Sequence, residues 1–268
     1  MKDLSGFHEA GRKFEQYLRV STFPLAVRLM RSEEEIQPGF KRPSKDLGLQ
    51  NFVCQNFKMV RTYGWTMAVT PEDTNCHLAR LVYGWDEQDK DYMETGHKFN
   101  IGLYAKDMET SLKLEENIFR LEGKYPGLII SPLARTKVAP DVVLIYCLPA
   151  QAARLIQSYL YMKGGALEFS STGRIGSCHE GVAKTMLTQK PQFVVLGNGD
   201  RVWGGAQDSE VMFTCPADQL DIMLEGLEAT HAAGLRYPIP SYMNYAPGFQ
   251  ADFKEKALER AGGTIIKE

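Results

Sequence analysis

Leu4, Phe7, Gly11, Phe14 and Leu18 recur at alternating steps of three and four, the spacing that puts them on one face of a helix laid against a core. Pro24 breaks this pattern. Leu25 to Met30 then reads as a strand, and the acidic, proline-bearing stretch from Arg31 to Lys45 as a loop. Asn51 to Thr62 is helical in pattern, and Trp65 to Val69 predicts a short strand. Thr70, Pro71, Glu72 and Asp73 carry the residue types of a helix start, with Cys76 close behind. From Lys90 to Arg120 the chain is polar and predicts helix, and Gly127 to Ser131 opens a β-rich half.

Two segments of that half share one register. Val142 to Cys147 is a buried-strand run, followed by Pro149 and a helix with apolar positions Ala152, Leu155, Ile156 and Tyr159; Glu210 to Cys215 repeats the theme. Counted from each cysteine, Gln151 matches Gln219, Ala152 matches Leu220, Leu155 matches Met223, Ile156 matches Leu224 and Tyr159 matches Leu227. One reading is an internal duplication of a strand-Pro-helix unit whose copies flank a pseudo-symmetric cleft. The other is that helical periodicity alone aligns the apolar positions. Near the end, Tyr237, Pro238, Pro240, Tyr242, Tyr245, Pro247 and Phe249 predict a structured loop, and Ala251 to Ala261 a last helix closed by Gly262 and Gly263. The whole predicts an α+β fold, a mixed sheet with helices packed on it, in a single compact domain over residues 1–268, with an alternative subdivision near residue 125.

Composition narrows the function classes. Of 268 residues 44% are hydrophobic, enough for a large interior, and 31 basic against 33 acidic residues leave a net charge of -2. No global field draws such a chain to phosphate backbones or acidic membranes, so neither nucleic acid nor a membrane is expected as a partner. The first residues run straight into a charged helical pattern without an apolar leader, and a cytoplasmic protein is expected. Five scattered cysteines, an odd number, make a poor disulfide framework and predict free thiols or metal ligands.

The sharpest local signal is Gly173 to Gly181, which contains Gly176, Ser177, Cys178, His179 and Glu180 and precedes Val182, Ala183, Met186 and Leu187. Ser177 and Glu180 have the spacing of a capping box, which places Cys178 at the first helical position. There free N–H groups and the helix dipole lower a thiol's pKa; the alternative is a small buried cysteine under a glycine turn. Cys54 has Lys58 four residues on and Arg61 seven on, so one helix face carries a thiol and two cations. That suits a thiolate, an anionic cofactor or a negatively charged cluster, unless the two cations are a solvated stripe beside an inert core cysteine. Cys76–His77 and Cys178–His179 are two Cys-His dipeptides, and since adjacent residues do not share a helix face, a catalytic pair would need the cysteine of one and the histidine of the other. CxxC, HExxH, CxxH, GxSxG and the Walker and Rossmann glycine loops are all absent, and Gly197 to Asp200 reads as a hairpin turn.

The run from Pro149 to Arg154, the Gly176–Ser177–Cys178 segment, Gly197 to Arg201, and Gly234 to Pro240 with Arg236, Tyr237 and Pro238 occur in an order that resembles the archaeal-conserved-region family, domain of unknown function 169, over most of the chain. The resemblance implies that Cys54, Cys76 and Cys178 belong to a motif from which Cys147 and Cys215 are excluded. Three such thiols imply a shared site. It would hold an iron–sulfur cluster of the 4Fe–4S type with a non-cysteine or exchangeable fourth ligand, or a zinc ion with an open position, with Lys58 and Arg61 offsetting charge and His77 or His179 completing the shell. A second reading is a metal-free ligand-binding or thiol-dependent enzyme: Cys178 is the catalytic thiolate, Arg201 or Arg174 binds a substrate anion, and the Tyr237 to Phe249 loop closes the pocket. A third is a non-catalytic binding subunit. The expected partners are a small molecule or a redox protein, or a second copy of the chain in a homo-oligomer.

Overall fold

The segments LAVRL, LIISP, VVLIYC and VMFTCP are apolar at nearly every position because both faces of the sheet they build are covered. The computed structural model describes residues 3–86, 97–123 and 125–239. Its helices are α1 (Leu4–Leu18), α2 (Pro43–Asp46), α3 (Val53–Tyr63), α4 (His77–Val82), α5 (His97–Asn100), α6 (Met108–Glu115), α7 (Pro149–Lys163), α8 (Lys184–Thr188), α9 (Asn198–Val202) and α10 (Leu220–Ala232), with a π-helical segment, Gly176–Ala183, running into α8. The strands are β1 (Leu25–Leu29), β2 (Met67–Val69), β3 (Leu128–Pro132), β4 (Val142–Cys147), β5 (Gln192–Val194) and β6 (Val211–Pro216). Met1–Tyr237 is one compact unit, which includes position 125, and Pro238–Glu268 is a second. The predicted loop beyond Pro240 and the helix at Ala251 to Ala261 lie outside the described residues, as do 87–96.

The α+β class holds, but the expected mixed sheet is an antiparallel one in the order β2-β3-β1-β4-β6-β5. Local symmetry explains part of this. With Cys147 equivalent to Cys215, Ile145 is equivalent to Phe213 and Ser158 to Gly226. Ile145 and Phe213 stand directly opposite each other in the β4–β6 ladder, and a Cβ on Gly226 would lie 1.9 Å from the Ser158 carbonyl oxygen. Equivalent residues that meet each other mark a two-fold axis. The axis runs through both the sheet and the α7–α10 layer, and a two-fold normal to a sheet makes the strands it relates antiparallel. Some pair of equivalents meets in any antiparallel ladder of this offset, so the local two-fold is compatible with both readings of the match. The two matched segments pack directly on one another and do not flank a cleft.

The pleat divides the core. Leu25, Val27, Leu29, Leu128, Ile130, Leu144, Tyr146 and Met212 face α3, α4 and the π-helical segment. Ala26, Val143, Ile145, Cys147, Phe213 and Cys215 face α1, α7 and α10. Elsewhere the structure refines the pattern. Pro71–Asp73 is a single 3-10 turn, and the helix behind it starts at His77 with Cys76 as its cap. The loop from Arg31 to Lys45 includes one 3-10 turn and the start of α2. Among the described residues no helix is long and apolar enough to cross a membrane.

Candidate functional site

Three helical elements on one side of the sheet each deliver a cysteine. Cys54 is the second residue of α3, and its thiol donates to the Gly199 carbonyl of α9 at 3.5 Å. Cys76 caps α4, and Cys178 is the third residue of the π-helical segment. Cys147 and Cys215 lie on the opposite face, and all five thiols are free. Burial pushes each of the three site thiols above the ordinary range. Beyond burial, Cys54 is raised by Asp200 and Cys76, Cys178 by Cys54, Cys76 and Asp200, and Cys76 by Asp200. The three side chains therefore lie within electrostatic reach of one another.

Asp200 is the hub of the site. Its buried carboxylate accepts the backbone N–H groups of Gly176 at 3.1 Å, Ser177 at 3.3 Å and Gly197 at 3.1 Å, together with the Ser177 hydroxyl. Glycine is required at 176 because a Cβ there would come 2.6 Å from Asp200 Oδ2. Burial raises the Asp200 pKa, and the four donors pull it the other way. Asp200 is the third residue of α9, so the expected hairpin turn at Gly197 to Asp200 is in fact a helix start. The expected Ser177–Glu180 capping box does not form: Ser177 is taken by Asp200, and Glu180 accepts from Ser171 and Thr172.

The same arrangement removes the basis for an activated Cys178. The N–H groups that would stabilise a thiolate are taken by a carboxylate, whose charge raises the thiol further. The cations expected over Cys54 are also elsewhere. Arg61 forms a bidentate pair with Glu210 at 2.8 and 3.2 Å, donates to the Gly205 carbonyl and lies 4.2 Å over the Tyr146 ring. Lys58 is exposed beside Gly205. Arg201 is exposed and 3.6 Å from Asp208, while Arg174 is buried against Glu115. His77 is exposed. His179 is buried in a stack with Phe119, and burial, with Lys184 as the next cause, lowers its pKa to about 4. Neither histidine is among the groups that shift the cysteines.

Two buried tyrosines that the sequence did not mark complete the surroundings. Tyr83 is buried and its hydroxyl has no hydrogen-bond partner; burial pushes its pKa well up, with Cys178 as the next cause. Burial pushes the Tyr146 hydroxyl well up; Asp200, Cys54 and Cys178 add to this, and Arg61 opposes it. Asp200 alone carried a sequence signal, an acid three residues past a glycine at a helix start. Among the described residues no group of three or more His, Cys, Asp or Glu side chains has the geometry to hold a metal ion.

Residues 13–226 match the model of DUF169, a family described as uncharacterised ArCR. The chain belongs to this family. The matched span of DUF169 contains all five cysteines together with Tyr83, Tyr146 and Asp200. A protein of Methanocaldococcus jannaschii, itself described as uncharacterised, is 25% identical over 227 residues, covering 84% of this DUF169 chain and 95% of the relative. No solved structure matches.

Proposed function

We propose that this DUF169 protein carries a thiolate-bound metal centre on Cys54, Cys76 and Cys178, an iron–sulfur cluster of the 4Fe–4S type in preference to zinc, and exchanges electrons with a redox partner. The observation that carries this reading is that α3, the start of α4 and the π-helical segment bring three thiols from distant parts of the chain to one side of the sheet, around Asp200 and away from Cys147 and Cys215. Three thiolates beside the Asp200 carboxylate would concentrate negative charge in a buried site, and neither Lys58 nor Arg61 offsets it. A bound metal supplies that positive charge and deprotonates its ligands. A single zinc needs every sulfur at about 2.3 Å from one centre, and the described donors do not converge in that way. In a cluster the cysteines bind different irons and need not converge on one centre. A bound cluster would supply one-electron transfer. Free thiols fit a reducing compartment such as the cytoplasm. A metal-free thiol enzyme on Cys178 is less well supported, because its thiol is pushed well up.

The test is anaerobic purification and reconstitution, followed by iron and sulfide analysis and a visible spectrum. The reading predicts broad absorption around 400 nm, lost in Cys54→Ser, Cys76→Ser and Cys178→Ser and kept in Cys147→Ser and Cys215→Ser. A colourless, iron-free protein after reconstitution, or equal loss in all five variants, would sink it.

A further inference from the structure

One exposed patch lies directly over the cysteine site. Cys54 is covered by α9 and the turn that leaves it: its thiol donates to the Gly199 carbonyl at 3.5 Å, and a Cβ on Gly204 would lie 3.1 Å from the Cys54 Cβ. The outer side of this cover is apolar. Val202 is 59% and Trp203 48% exposed, and the Trp203 ring packs edge-on against Phe52, the cap of α3, with the centroids 4.9 Å apart. One short helix thus joins the proposed ligand Cys54 to a solvent-facing indole.

Two cations border the patch. Lys58, one turn after Cys54 in α3, is exposed and enters no ion pair among the described residues. A Cβ on Gly205 would come 2.7 Å from its Nζ, so its head group stands at the turn that follows Trp203. Arg201, next to Val202, is exposed, and its contact with Asp208 is 3.6 Å long, with that carboxylate 93% exposed. Such a pair neutralises little in water. The acids nearer the site are turned away from the patch, Asp200 onto Ser177 and Glu210 onto Arg61. An exposed tryptophan bordered by cations has the composition of a protein-binding hot spot with a charged rim. Rim charges chiefly steer a partner of opposite sign.

We propose that the α9 face, with Val202 and Trp203 at its centre and Lys58 and Arg201 at its rim, is where a redox protein with an acidic docking face delivers electrons to the metal centre. The inference rests on the cluster reading above and adds to it the place and the charge of the partner. One electron passes from the reduced partner to the centre, with no bond made or broken and no proton moved. Electron-transfer partners need only a small contact, and transfer slows steeply with distance, so a surface over a ligating sulfur is a favourable port.

The test uses the reconstituted full chain and reduced flavodoxin, a small acidic one-electron donor, with dithionite as the small-molecule control; bleaching around 400 nm is followed by stopped flow. Flavodoxin should reduce the wild type at a rate that falls as salt rises. Lys58→Glu and Arg201→Glu should each slow this about tenfold, and Trp203→Ala by at least about tenfold. All three should keep the wild-type rate with dithionite, which reports an intact centre. Lys113→Glu, at an exposed position of α6, should match the wild type with both donors. If Trp203→Ala fails to fold, the two exposed charge reversals carry the test. Colourless protein removes the cluster reading and this one with it. Coloured protein that flavodoxin does not reduce, or reduces at the wild-type rate in both charge reversals, overturns the docking face and leaves the cluster reading standing. A wild-type dimer in sedimentation that Trp203→Ala splits assigns the face to a second copy and overturns the proposal as well.

Discussion

Ser177 and Asp200 are clamped together: the Ser177 backbone N–H donates to the Asp200 carboxylate at 3.3 Å, and its hydroxyl donates to the same group. The start of the helical segment that carries Cys178 is thus closed by a fixed negative charge from α9. Asparagine at 200 would keep one acceptor and lose the charge. Asp200→Asn should therefore destabilise the metal-free protein by roughly 2–4 kcal/mol, read from urea unfolding, and should speed alkylation of Cys178. An unchanged urea midpoint would show that the carboxylate is not the clamp.

Alkylation of the metal-free wild type separates the thiols. Burial pushes Cys54 and Cys178 well up and Cys147 to about 12, whereas Cys76 is only half buried. Iodoacetamide at neutral pH should label Cys76 first and the others only as the chain unfolds. Mass spectrometry that finds Cys178 labelled first would restore the activated-thiolate reading.

His179 predicts an acid-sensitive step. Its folded pKa is about 4 against 6.5 for the free group. Above 6.5 the ring is neutral in both states and costs nothing. As pH falls from there towards 4 the unfolded chain takes a proton that the folded chain refuses, so stability drops, by up to about 3 kcal/mol. Both ring nitrogens lack a hydrogen-bond partner, so His179→Phe should fold normally at pH 7 and lose this part of the slope. Chemical denaturation of both proteins across that range reads the difference, and parallel curves would refute the assignment.

Gly226 is a steric keystone of the local two-fold. A methyl group there would meet backbone, which cannot swing aside. Gly226→Ala should cost roughly 2–3 kcal/mol by forcing α7 and α10 apart, whereas Gly199→Ala, whose nearest neighbour would be a Trp203 side-chain atom at 3.9 Å, should be nearly neutral. Equal melting of the two variants would contradict the packing described.

If the cluster forms, Tyr83 should tune it. Its buried hydroxyl lies within electrostatic reach of Cys178, and a donor turned to a ligating sulfur would stabilise the reduced state. Tyr83→Phe should keep the iron content and shift the midpoint potential to more negative values in a redox titration. An unchanged potential in a loaded variant would assign Tyr83 to packing alone.

Local pattern carried a good deal of this structure. The helical steps of three and four at Leu4 to Leu18, the apolar run Val142 to Cys147 and the matched helices behind Cys147 and Cys215 correspond to α1, β4, α7 and α10, since burying one face imposes a period on the sequence. Where two periods meet weak caps, as between Thr70 and Cys76, the boundary moved by several residues.

Spacing along an element says which side chains share a face, and this much the chain determined by itself: Cys54 and Arg61 share α3, and the paired segments around Cys147 and Cys215 share a register. What faces those side chains was decided only by tertiary structure. Arg61 meets Glu210 across 149 positions, Asp200 reaches Ser177 across 23, and the sheet pleat alone separates Cys147 and Cys215 from the other three thiols. Such partners come from elements whose approach depends on packing the whole core, and no period within a single segment encodes them.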